Sequence, residues 1–143
     1  MNVKKLLANP RFRWESHTAP DPDRLEQFLR SAPDNLPRTY VKFIQQTNGG
    51  TGPNPFDTGP LEIWPVERVL ERNEALDIAH HMPGFFAFGE NGEGSVYLFD
   101  LREPDGAPVC SIDAGASEDA EPKLLRKSFS EALESTMLVR ERI

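Results

Sequence analysis

Leu25, Phe28 and Leu29 recur at helical spacing behind Asp21-Pro22-Asp23. A carboxylate there can cap free backbone N–H groups, and proline suits a first turn. The pattern predicts a helix that ends between Ser31 and Pro33. Leu36-Pro37 opens a second, with Tyr40, Phe43, Ile44 and Val41 on one face. Asn48-Gly49-Gly50 should end it, with glycine taking the left-handed cap at no Cβ penalty. The breaker-rich stretch from Thr51 to Pro60 is expected to be loop. Leu61-Glu62-Ile63-Trp64 alternates apolar and polar residues and reads as a half-buried strand. Pro65-Val66 then opens a third helix, with Val69 and Leu70 inward, that fades after Arg72-Asn73.

Phe85-Phe86-Ala87-Phe88 and Ser95-Val96-Tyr97-Leu98-Phe99 are aromatic and β-branched runs of strand length. The glycines between Gly89 and Gly94 suit a hairpin connection. Pro104-Asp105-Gly106 supplies a second turn, leading to a strand at Pro108-Val109-Cys110-Ser111-Ile112. Residues 113–123 read as acidic loop. Ser128 and Glu131 have capping-box spacing ahead of a last helix that buries Phe129, Ala132, Leu133 and Met137. Residues 1–20 show no sustained period and are expected to be an N-terminal extension that packs through Phe12 and Trp14. The chain therefore reads as one α+β domain, 1–143, with a mainly antiparallel meander sheet and helices packed around it.

Composition narrows the class. At 143 residues folding buries about 68% of the unfolded surface, so one core suffices without disulfides. The run Leu6-Leu7-Ala8 is too short for a signal peptide, and no stretch has the apolar length of a spanning helix. Cys110 is the only cysteine, so a reducing cytoplasm is expected and no membrane association. The net charge of −7 is unevenly spread: residues 57–121 hold 15 Asp and Glu against Arg68, Arg72 and Arg102. Nucleic-acid binding relies on a basic footprint, so direct contact with DNA or RNA is disfavoured.

Candidate chemistry is sparse. The glycine loop 89–94 precedes a strand and carries Glu90 and Glu93, unlike a phosphate cradle that opens a helix. Ser95 lacks the flanking glycines of a nucleophile elbow. His80 and His81 are adjacent and are expected to point in different directions, as surface side chains rather than zinc ligands. His17 lies in the unpatterned N-terminus, and Cys110 reads as a sheet residue. The pairs Glu90 with Glu93 and Glu118 with Asp119 fall in expected loops, where solvation or partner binding accounts for them. Ser128 reads as a helix cap. No catalytic residue, cofactor or metal site is expected.

Taken in order, Leu36-Pro37 with Tyr40 and Phe43, Asn48-Gly49-Gly50, Leu61 to Pro65, Phe85 to Asp100, and Ser128-Phe129 with Leu133 resemble the SUKH superfamily. The resemblance covers about residues 22–138. It implies an α+β fold without catalytic residues and, for most bacterial members, an immunity protein that neutralises a toxin. Other members, such as the domain of the yeast cell-wall assembly regulator, imply an adaptor as the alternative. The expected partner is a protein, a cognate toxin such as a nuclease or deaminase whose active site an acidic surface would cover. The residues expected on that surface are Glu90, Glu93, Asp100, Glu103 and Asp113, with Trp64 as an aromatic anchor if exposed.

Overall fold

A computed structural model describes residues 1–103, 106–115 and 121–139. They form a seven-stranded antiparallel sheet whose strands follow chain order: β1 (Glu15–Ser16), β2 (Gly50–Gly52), β3 (Leu61–Ile63), β4 (Phe85–Glu90), β5 (Ser95–Asp100), β6 (Val109–Asp113) and β7 (Lys123–Arg126). Helix α1 (Val3–Ala8) precedes β1. Helices α2 (Pro22–Ser31) and α3 (Arg38–Thr47) connect β1 to β2, α4 (Val66–Ala75) and α5 (Ile78–His81) connect β3 to β4, and α6 (Phe129–Thr136) follows β7. The α+β meander expected from the pattern is the observed architecture.

The core forms where α3 and α6 meet one sheet face. Tyr40, Phe43 and Ile44 are buried at helical spacing on α3. Cross-strand partners share a face, so Phe99 projects with Val109 while Leu98 and Cys110 project to the opposite side. Phe99 stacks on Phe88 at 4.3 Å and meets Tyr40 and Phe129 edge-on at 5.0 and 5.6 Å. Such pairs each contribute about 0.5–1.5 kcal/mol beyond the area they bury.

The corner after α3 shows why Asn-Gly-Gly is needed. Asn48, not glycine, takes the left-handed cap, with φ 54°. Gly49 follows at φ 84°, and a Cβ there would lie 2.2 Å from the Ile63 carbonyl oxygen. The backbone can turn directly onto β3 only with that side chain missing.

Several expectations are corrected. Residues 1–20, whose conformation the pattern leaves open, contain α1 and β1, and Phe12 is buried with Trp14 packed partly buried beside it, as anticipated. The stretch expected as loop from Thr51 begins inside β2. Leu29, expected inward, is 40% exposed. Helix α4 runs on to Ala75, and α5 adds a further turn. Strand β7, which the pattern does not predict, begins at Lys123, the last residue of the expected acidic loop, and runs to Arg126. Pro104, Asp105, Glu118 and Asp119 lie outside the described residues.

Candidate protein-binding surface

The expected acidic residues divide between the two ends of the sheet. Asp100 ends β5 and Glu103 follows it, whereas Glu90, Glu93 and Asp113 lie at the other end, around the β4–β5 turn. Six residues of β5 separate the groups by about 17 Å. Charge within each group is also uneven. Asp100 accepts two parallel hydrogen bonds from Arg102, both 3.0 Å, and the guanidinium holds its carboxyl below the usual range. Glu90 is half-buried and pairs with Arg72 at 3.6 Å, as its cross-strand neighbour Glu62 pairs with Arg68 at 3.5 Å. These pairs let two carboxylates sit directly opposite in the sheet, which would otherwise destabilise it.

Trp64 fails the exposure condition. Its ring is buried under the Arg72 guanidinium, 5.4 Å from the ring centroid. A residue at the end of a half-buried strand points inward here because α4 begins immediately after it and covers it. Trp64 is therefore no surface anchor.

What remains at the turn end is a set of carboxylates bonded to neutral donors. Glu93 accepts from the Thr58 hydroxyl at 2.6 Å, Asp57 from the Tyr97 hydroxyl at 3.1 Å, and Asp113 from the Gly115 amide at 2.9 Å. All three are exposed, and no basic side chain among the described residues offsets them.

Two asparagines hold this end together, and both escaped the sequence reading. Buried Asn91 accepts from the Glu93 and Ser95 amides, both at 2.9 Å, and donates to the Thr58 carbonyl at 3.1 Å. One side chain thus closes the β4–β5 turn and ties it to residues 53–60. Asn54 accepts from the Phe56 amide at 2.8 Å and donates to the Tyr97 hydroxyl at 2.8 Å. Gly59 completes the contact, since a Cβ there would meet the Asn91 carbonyl oxygen at 2.5 Å. The available signal was an asparagine between breakers, Pro53-Asn54-Pro55 and Asn91-Gly92, where side-chain amides replace backbone turn bonds.

The other residues considered for chemistry carry none. Ser128 caps α6, accepting from the Glu131 amide at 3.1 Å. Cys110 is buried on β6, and burial pushes its thiol pKa up, away from the reactive thiolate. His80 and His81 do not diverge as expected: both face Asp77, at 3.0 and 3.5 Å.

The sheet order, the Asn-Gly-Gly corner and the final capped helix are the setting for comparison with known families. The pattern of the SMI1 / KNR4 family (SUKH-1) matches residues 19–135. The chain belongs to that family. Comparison with curated proteins gives no match. The SUKH match spans α2 through all but the last residue of α6 and includes the whole acidic end. It leaves α1 and β1 outside, so the segment that carries Phe12 and Trp14 is added to the matched region. No helix among the described residues is long and apolar enough to cross a membrane.

Proposed function

We propose that this chain is an immunity protein that binds a cognate toxin and covers its active-site entrance with the acidic end formed by Asp57, Glu93 and Asp113. SUKH membership, which is typical of immunity proteins, supports the class. The observation that carries the surface is the hydrogen-bonded union of residues 53–60 with the 91–94 turn and Tyr97, which fixes Glu93 and Asp57 through neutral donors, while Asp113 beside them is held by the Gly115 amide. Fixed charges need little reordering when a partner docks, so less binding free energy is lost on association. A toxin whose substrate is anionic, such as a nuclease or nucleic-acid deaminase, has a basic entrance that such carboxylates fit as phosphate mimics. The protein acts as a non-enzymatic binder in this reading, consistent with Cys110 and Ser128 serving as packing and cap.

Charge of this kind acts mainly on encounter rate and partner selection. The test is association of this chain with the product of a neighbouring toxin gene, measured by surface plasmon resonance across salt concentrations. Glu93→Lys with Asp113→Lys should slow association by about tenfold or more at low salt and flatten the salt dependence. Glu26→Lys, on α2 far along the chain, should leave both unchanged. Affinity indifferent to salt and to the double reversal would overturn the acidic-end reading. Rescue absent on co-expression, with endogenous cellular proteins captured instead, would replace immunity by the adaptor role.

A further inference from the structure

We propose that Asp77, His80 and His81 form a binding site for a divalent first-row transition ion of the zinc class. The three side chains lie at the start of β4, the end away from Glu90, and take no part in the acidic surface. Adjacent histidines on a helix normally diverge, but here each is also spaced to meet a third residue. Asp77 and His80 are three apart and Asp77 and His81 four apart, the two spacings that share a helix face.

The backbone holds this arrangement. Asp77 sits just before α5 in the left-handed region, φ 53°, and its carbonyl accepts from the His80 and His81 amides at 3.2 and 3.0 Å. Ile78, between them, is buried and anchors the turn to the core. The ligands therefore project from a fixed turn.

Geometry and donor type agree on the ion. His80 Nδ1 and His81 Nε2 lie 3.0 and 3.5 Å from Asp77 Oδ2, and one donor atom from each residue falls within 4.8 Å of the other two. Tetrahedral zinc with bonds of 2.0–2.1 Å requires ligand separations of about 3.3 Å, which the two carboxylate distances bracket. The two rings already lie side by side, 4.9 Å between centroids, and a modest turn of the exposed His80 ring brings its nitrogen closer to that of His81. Two imidazoles and one carboxylate suit zinc, cobalt, nickel or copper; calcium and magnesium favour all-oxygen sites. Three protein ligands leave a coordination position open to water or to a donor from a bound partner.

The test uses the full, tag-free chain after chelator treatment, titrated with zinc chloride by calorimetry and with cobalt as a spectroscopic probe. The expected result is one ion per chain at micromolar affinity, with a visible cobalt spectrum showing nitrogen and oxygen ligation. Asp77→Asn keeps the side-chain shape, and asparagine tolerates the left-handed backbone. That variant, and His81→Ala, should each weaken binding by at least about tenfold, while circular dichroism without metal stays unchanged. His17→Ala should bind as the parent does. Absence of binding up to millimolar zinc, or unchanged affinity in the His80→Ala/His81→Ala pair, would overturn the site.

Discussion

Asn48 shows how much one side chain can join. Its left-handed backbone ends α3, its side-chain Oδ1 accepts from the Val66 amide at 2.9 Å, and its side-chain Nδ2 donates to Glu67 at 3.0 Å. Val66 is the first residue of α4, whose own N-cap, Pro65, offers no side-chain bond. The cap of α4 therefore comes from the end of α3, 18 residues earlier. Asn48→Ala should destabilise the domain by about 2–4 kcal/mol, combining a lost cap, a polar group left buried and an unfavourable left-handed alanine. Asn48→Gly loses the same bonds but none of the backbone tolerance, so it should be milder by about 1 kcal/mol. Urea denaturation of the two variants separates bonding from backbone strain; equal losses would show that strain contributes nothing.

Strand β4 illustrates the same dependence between elements. Strand β3 is too short to pair with all of it: its last residue, Ile63, lies opposite Gly89. Farther back along β4, Asn73 of α4 takes the place of a strand. Its amide donates to the Ala87 carbonyl and its oxygen accepts from the Ala87 amide, both at 2.8 Å. Asn73→Ala leaves both backbone groups without partners and should cost about 2–4 kcal/mol, with faster hydrogen exchange at the Ala87 amide. Unaltered exchange there would exclude the clamp. The third helix is expected to fade after Arg72-Asn73, yet Asn73 lies within α4, which runs to Ala75, and is held there by its two bonds to β4. The longer elements were legible because their burial repeats: α3 at Tyr40, Phe43 and Ile44, and the β4–β5 hairpin through its aromatic run. Strands β1, β2 and β7 were not, because Glu15–Ser16, Gly50–Gly52 and Lys123–Arg126 are two to four residues long and carry no usable alternation. They exist through pairing with neighbours that a local pattern cannot report. The acidic end was legible as composition, but its division by β5 and the pairing of Glu90 and Asp100 with arginines depend on register.

At the scale of the whole molecule, the chain's two tyrosines make its alkaline stability a measure of the core. Tyr40 is fully buried among Phe88, Phe99 and Phe129, and burial raises its pKa. Tyr97 is raised mainly by burial and further by the charge of Asp57, against the opposing hydrogen bond from Asn54. Both phenols ionise near pH 10 in the unfolded chain and later in the folded one. The stability they contribute is therefore fully present below about pH 10 and is lost as pH rises above it, because the unfolded state then holds fewer protons. For Tyr40 the loss is about 1.4 kcal/mol per pH unit. Tyrosinate absorbance should therefore appear together with loss of the far-ultraviolet circular dichroism signal, in one cooperative step. A gradual titration near pH 10 with native dichroism intact would show that the hydroxyls are open to solvent. Among the described residues the Tyr40 hydroxyl has no hydrogen-bond partner, so removing it leaves no other group unsatisfied. Tyr40→Phe should thus be neutral or stabilising at pH 7 and should shift the alkaline transition upward. Tyr97→Phe should instead release Asn54 and Asp57 and loosen the acidic end, coupling the core to the proposed binding surface.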